Sequence, residues 1–163
     1  MTDLIKKSEK DVTVPKPGIK LSAPRIRRLV AAAADVRKNS YSPYSNYKVG
    51  AALLASSGKI YAGANFENAS FGAGTCAERT ALGAALSAGE REFIAICVCG
   101  ADGNITPCGI CRQALMEFGD IVVICAAAPA DEENGEGLIQ DLRCFRLKGL
   151  LPEAFGPAAL DKD

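Results

Sequence analysis

Thr75-Cys76-Ala77-Glu78-Arg79 heads an alanine-rich run that extends to Ala88 and is stopped by Gly89. Downstream, Pro107-Cys108-Gly109-Ile110-Cys111 heads a second such run, stopped by Gly119 after Phe118. Both runs read as helices ended by a left-handed glycine. An apolar, β-branched segment, Phe93–Cys99, lies between them, and another, Ile121–Ala126, follows the second. Strands alternating with helices predict a layered α/β domain around a mainly buried sheet.

Upstream, Lys48–Ala55 and Lys59–Ala64 read as two strands joined through Ser56-Ser57-Gly58, a hairpin. Ser22 is a candidate N-cap and Pro24 suits a first helical turn, so a helix is expected to run to Lys38. Its apolar face would carry Ile26, Leu29, Val30, Ala33 and Val36. Between these elements, Ser40–Tyr47 is polar, turn-prone and carries three tyrosines, and loops held by a scaffold often carry function. The second strand empties into Asn65–Gly74, where Gly72-x-Gly74 lacks the Gly-Lys-Ser/Thr that a phosphate loop requires. Past the second helix, Asp131–Gly137 reads as an exposed acidic turn, Leu142–Leu147 as a last strand, and Leu150–Pro157 as the closing segment. Residues 1–21 are polar and broken by Pro15 and Pro17-Gly18, and read as a flexible tail before a single domain spanning 22–163.

Composition narrows the chemistry. Of 163 residues, 48% are hydrophobic and 23% charged, ordinary values for a globular domain. Nineteen basic side chains cancel nineteen acidic ones, so there is no overall field to gather nucleic acid. No apolar run has the length of a transmembrane helix, the start lacks a signal peptide's apolar core, and a cytoplasmic protein is expected. Seven cysteines, an odd number, fit reduced thiols better than a disulfide framework. There is no histidine. That excludes Ser-His-Asp and Cys-His catalysis, and it leaves thiolates or carboxylates as ligands for any transition metal.

Three of the thiols have metal-site spacing. Cys108 and Cys111, three apart in a first helical turn, point to one side, and Cys76 opens the other helix. Helix N-termini favour anions and lower a thiol pKa, so two of them aimed at one point suit thiolates around zinc. A catalytic zinc takes three protein ligands and leaves a fourth position open, whereas a structural one is closed by four. Glu78 stands ready to handle a water's proton, although helix spacing alone does not bring it to the same point as Cys76. Arg79 and the Arg112-Gln113 pair are candidates to donate hydrogen bonds to the sulfurs and soften their charge. Cys97, Cys99, Cys125 and Cys144 lie in strand segments and read as buried, inert thiols, any one of which remains open as a fourth ligand.

Several separated blocks give the chain a family likeness. Ser42–Leu53 (Ser-Pro-Tyr-Ser-Asn-Tyr-Lys-Val-Gly-Ala-Ala-Leu), Asn65-Phe66-Glu67-Asn68-Ala69, Cys76-Ala77-Glu78-Arg79-Thr80, Pro107–Gln113, and Leu150-Leu151-Pro152 with Phe155-Gly156-Pro157 occur in this order. Across about residues 22–160 the chain resembles the small homotetrameric cytidine deaminases. The resemblance implies a three-layer α/β/α sandwich with a central mixed five-stranded sheet. It implies one zinc per chain on Cys76, Cys108 and Cys111, with Glu78 taking a proton from the attacking water and protonating N3 and then the leaving amine, as base and acid in turn. It further implies that Asn65 and Glu67 bind the ribose 3′-hydroxyl, that Ala77 backbone reads the base edge, and that Tyr47 and Phe155 pack around the pyrimidine, Phe155 from a neighbouring subunit. Cytidine, and with it 2′-deoxycytidine, would be hydrolysed to uridine or deoxyuridine plus ammonia in pyrimidine salvage, by a homotetramer with its sites at subunit boundaries. Three departures stand out: Tyr47 where the family usually has Phe, Phe71 where Tyr is expected, and a longer, more acidic 131–137 turn. Blasticidin S deaminases share the Cys-Ala-Glu and Pro-Cys-Gly-x-Cys-Arg-Gln blocks, and the Asn65–Glu67 pair and the closing segment favour cytidine over them. A polynucleotide editor is disfavoured by the zero net charge, and a non-catalytic zinc module by the presence of Glu78.

Overall fold

The computed structural model describes residues 21–128 and 142–160. Residues 1–20 of the stretch read as a tail, and the acidic turn at 131–137, lie outside the described residues; Leu21, read as the end of the tail, is instead buried in the core. The elements run α1 (Ala23–Arg37), β1 (Gly50–Ala55), β2 (Ile60–Ala64), α2 (Ala77–Ser87), β3 (Phe93–Gly100), α3 (Gly109–Met116), β4 (Val122–Ala127), β5 (Arg143–Arg146) and α4 (Leu147–Leu150). Short 3-10 turns occupy Phe71–Ala73 and Pro157–Ala159.

The strands form one mixed sheet in the order β2-β1-β3-β4-β5. Only β3 and β4 pair in parallel; the other three pairings are antiparallel. Parallel neighbours need a crossover, and α3 supplies it between β3 and β4.

Strand periodicity sorts the core into two layers. Leu21, Ile26, Leu29, Val30 and Ala33 pack with Ala52, Leu54, Ala95, Cys97, Cys99, Val122, Ile124 and Ala126 on one face. On the other face, Ala77, Ala81, Leu82 and Ala85 of α2 and Leu115 of α3 pack with Ala51, Leu53, Ile96, Val98, Val123 and Cys125. Alternate residues of β1, β3 and β4 therefore point to opposite helices, as period-2 side chains must. This is the three-layer α/β/α sandwich that the family resemblance implies. Small residues let the layers close. A Cβ on Gly50 would lie 2.0 Å from Ala33 O of α1, and one on Gly63 would lie 2.4 Å from Ala81 N of α2.

The helix stops fall where the glycines stand, Gly89 and Gly119 both having φ near +90°. The hairpin turn likewise has Gly58 at φ +87° and its N–H on Ala55 O. The starts of α2 and α3 and the end of β5 differ from the sequence reading. Cys76 and Cys108 are extended N-cap residues rather than members of the first turns. The last strand stops at Arg146, because Leu147 turns into α4 to fill the α2–α3 side of the core. Asp120 fastens this corner, accepting hydrogen bonds from the Arg146 guanidinium and from Lys148 N.

Candidate active site

Sheet direction brings the two cysteine motifs together. β2 and β3 both run antiparallel to β1, so they point the same way, and the helices that follow them start at the same edge of the sheet. Clefts beyond the carboxyl ends of strands are where α/β sheets bind ligands. At this edge Cys76, Cys108 and Cys111 place their Sγ atoms within 4.8 Å of one another, with Cys76 and Cys108 3.9 Å apart. Among the described residues, no other Cys, Asp or Glu joins the group.

The cap geometry resolves what helical spacing left open. Because Cys76 precedes α2 in extended backbone, its thiol and the carboxyl of Glu78 in the first turn turn toward the same point. Glu78 is 4% exposed, and it lies beside Cys76 and within hydrogen-bonding reach of the Cys111 thiol. Burial raises its pKa to about 7, with the negative charge on Cys76 adding to the rise. The Cys76 thiol goes the other way, to about 5, chiefly because Cys111 donates to it, with Cys108 and Arg79 adding to the effect. Cys111 is correspondingly raised, first by that same bond and then by burial.

Three thiols gathered at two helix N-termini are a donor set for a soft divalent metal. Arg79 supports that fit. Its guanidinium lies beside Cys76 and Cys111, and among the described residues its Nε is buried without a partner, a cationic donor suited to thiolate charge. The other strand cysteines do not approach the group. Cys97, Cys99 and Cys125 are fully buried and Cys144 partly so; burial raises all four, Cys125 to about 12 and Cys144 to about 11. The closed four-thiol alternative therefore has no fourth ligand among the described residues.

The Arg112-Gln113 pair does something different from what its sequence position suggests. Arg112 donates from Nε to Pro107 O (2.7 Å), from one terminal nitrogen to Leu150 O (2.7 Å) and from the other to Thr106 Oγ1 (3.0 Å). Gln113 donates from Nε2 to Phe155 O (2.7 Å). None of these donors goes to sulfur, and two of them meet the Leu150 and Phe155 carbonyls of the closing segment. Their effect is to clamp that segment against α3 rather than to bond the thiolates.

A cavity of about 580 Å³ opens beside Cys76, within the range of small-molecule sites. Its walls include Asn65, Glu67, Tyr44, Ser45, Phe71 and Arg79. Backbone bridges shape it: Phe66 pairs with Thr75 on one side and lies in register with Tyr41 on the other. The Asn65–Glu67 strand end is thereby held between the tyrosine loop and the residue before Cys76.

Asn65 accepts on Oδ1 from Ser40 Oγ (2.6 Å) and Val49 N (2.8 Å), and donates from Nδ2 to Tyr47 O (3.0 Å). Glu67 accepts on Oε2 from the N–H groups of Tyr44 (2.9 Å) and Ser45 (3.1 Å), and on Oε1 from Ser45 Oγ. The Ser45 hydroxyl, ahead of burial in size, leads the effects on Glu67 and leaves its pKa below the ordinary 4.5. Ala77 is buried as the first residue of α2. Tyr47 and Phe155 stand outside the cavity wall. The Tyr47 hydroxyl reaches Gly100 at the end of β3, where a Cβ would be 3.0 Å from it, and Phe155 is exposed. Sequence reasoning gave Ser45 no role, although it stands in the tyrosine loop and in the Ser42–Leu53 block that carries the family likeness.

Comparison with known proteins agrees with this geometry. A family model, the cytidine and deoxycytidylate deaminase zinc-binding region, matches residues 24–127. A probable cytidine deaminase of Dictyostelium discoideum is 46% identical over 61% of this chain and 69% of its own length. The cytidine deaminase of Halalkalibacterium halodurans is 43% identical over 78% of this chain and 91% of its own. A crystal structure of the Burkholderia pseudomallei cytidine deaminase superposes with a TM-score of 0.69 at 44% identity, covering 78% of this chain and 97% of the other. Family model, relatives and fold agree, and this chain belongs to the cytidine and deoxycytidylate deaminases.

Proposed function

We propose that this protein is a zinc-dependent nucleoside deaminase that converts cytidine and 2′-deoxycytidine, with one water, to uridine or deoxyuridine and ammonia. The observation that carries the reading is the buried carboxyl of Glu78 beside a three-thiol cluster at the meeting of two helix N-termini. Cys76, Cys108 and Cys111 would hold the zinc, which, when bound, is a Lewis acid that makes water a better nucleophile near neutral pH.

Glu78 does the proton work. A carboxyl raised to about 7 by burial can both accept and return a proton near neutrality. It takes one from the water as the C4–O bond forms and passes it to N3. It then takes the remaining proton from the new C4 hydroxyl and delivers it to the exocyclic amine, which leaves as ammonia as the C4–N bond breaks and C4 becomes a carbonyl. Arg79 balances the thiolate charge. Asn65 and Glu67 at the cavity wall meet the sugar hydroxyl, and Ala77 backbone at the head of α2 meets the base edge. A free 3′-hydroxyl at Glu67 favours a nucleoside over a polynucleotide.

The protein works as a homotetramer in which Phe155, and Tyr47 across the end of β3, close the pyrimidine side once neighbouring subunits are in place. Supporting this are the large apolar side chains that one chain leaves exposed, Phe71 (83%), Leu160 (67%), Ile110 (66%) and Phe155 (58%). Among the described residues no helix is long and apolar enough to cross a membrane, and a thiolate site suits a reducing cytoplasm. The catalytic domain is residues 22–163, with Leu21 packed into its core.

Incubating the purified protein with cytidine while following its long-wavelength absorbance, with zinc measured on the same sample, tests the assignment. Conversion to uridine with about one zinc per chain is expected. A zinc-loaded protein that leaves cytidine untouched and deaminates another amino-pyrimidine would overturn the substrate assignment.

A further inference from the structure

Ser45 joins two things that the sugar end of the cavity depends on. Its hydroxyl donates to Glu67 Oε1, and the same oxygen accepts the Tyr47 N–H at 3.0 Å. Its own N–H, with that of Tyr44, donates to the other carboxylate oxygen. Tyr47 is gripped from the far side as well, since its carbonyl accepts from Asn65 Nδ2. The Ser45 rotor therefore has one orientation that satisfies both neighbours: proton toward Glu67, lone pair toward Tyr47.

The consequence for Glu67 is geometric. Three donors from residues 44–45 fix the plane of its carboxylate, with Oε2 taken by two backbone N–H groups. Oε1 accepts only the Ser45 hydroxyl among these and keeps acceptor capacity on the cavity side, where Ser45 and Glu67 both line the wall. On the Asn65 side, Nδ2 has a second hydrogen beyond the one given to Tyr47 O. One ligand hydroxyl could thus donate to Glu67 Oε1 and accept from Asn65 Nδ2.

We propose that Ser45 is the positioning residue of the sugar site: it aims Glu67 Oε1 at the 3′-hydroxyl and ties that aim to the placing of Tyr47. This rests on the nucleoside deaminase reading above. Ser45 touches neither the reacting atoms nor the thiol cluster, so its effect belongs to nucleoside recognition rather than to proton transfer. Hydrogen bonds to a charged group are strong enough for the loss to be read as about tenfold.

The test compares Ser45→Ala and Ser45→Thr with the parent protein on cytidine and on 3′-deoxycytidine, which lacks the hydroxyl in question. The expected result is an S45A KM for cytidine raised about tenfold with little change in kcat or zinc content. Preference for cytidine over 3′-deoxycytidine should shrink by a similar factor, and S45T, which keeps the hydroxyl, should restore much of it. S45A added to E67Q should have no further effect on that preference, a check that holds even if S45A is less stable. An equal loss on both nucleosides, a fall confined to kcat, or additive losses in the double variant would overturn the proposal. A parent protein that converts neither nucleoside, although zinc-loaded, would show instead that the deaminase reading itself fails.

Discussion

The guanidinium of Arg79 lies beside the Cys76 and Cys111 thiols, one turn into α2, with Nε buried and unpaired among the described residues. Three thiolates on a dication leave net negative charge, and a cation next to them lowers the cost of assembling it. Replacing Arg79 with Met keeps much of the stem's packing and removes the charge. Zinc affinity should fall about 10–100-fold in competition with a chromophoric chelator; unchanged affinity would mean that the guanidinium only fills space. Glu67 offers a second test at this scale. Its carboxyl is held below its ordinary 4.5 by the Ser45 hydroxyl, so the anion and its three donors stay in place above 4.5. A depressed pKa means that this contribution is lost only as the pH falls through the lower, folded-state value. NMR titration following the Tyr44 and Ser45 amides should give a midpoint below 4.5, and a midpoint at or above it would contradict the hold of these donors on Glu67.

Among the elements, α2 is the one whose placement the site cannot lose, because it carries Cys76, Glu78 and Arg79 together. It lies so close to β2 that Gly63 faces the helix backbone, where a Cβ would stand 2.4 Å from Ala81 N and 2.8 Å from Thr80. Gly63→Ala must therefore push helix and strand apart. Overpacking of this kind costs about 1–3 kcal/mol, to be read from denaturant unfolding. Activity should fall further than the lost stability explains, since the displaced atoms include the head of α2. Wild-type turnover in G63A would mean that this contact does not set the site. On α3, the clamp made by Arg112 fixes Pro107, Thr106 and Leu150 around the second helix start. Lys cannot reproduce a three-way fork, so Arg112→Lys should loosen the closing segment, seen as faster amide exchange from Leu150 to Phe155.

Over the whole molecule, the parts that could be read from the chain are those governed by local periodicity and turn chemistry. Gly58, Gly89 and Gly119 end their elements as glycines with positive φ do, and the alternating apolar residues of β3 and β4 divide between two helix layers. The thiol spacing named the three cysteines that the fold gathers at one point. What stayed hidden depends on contacts between distant segments. Nothing in Arg112-Gln113 says that these donors meet Leu150 and Phe155 rather than sulfur. Nothing in Glu67 says that Ser45 completes it. The turn at Leu147 is a packing decision, made because a buried leucine fills the α2–α3 side better than a longer edge strand does. Because neither apolar layer counts the three thiols among its members, chelation should abolish activity and lower the melting temperature, yet leave far-ultraviolet circular dichroism of an α/β fold. Loss of that signal would make the zinc a folding element, as in zinc fingers.

In the proposed reaction Glu78 moves the protons while the thiols hold the metal. Glu78→Gln keeps size and hydrogen-bonding shape but cannot exchange a proton near neutrality. Turnover of cytidine by the zinc-loaded variant, with metal content and thermal unfolding measured on the same sample, is the most direct test. The account predicts a loss of about 10²–10⁴-fold in kcat with zinc and fold retained. Unchanged turnover in E78Q would contradict it.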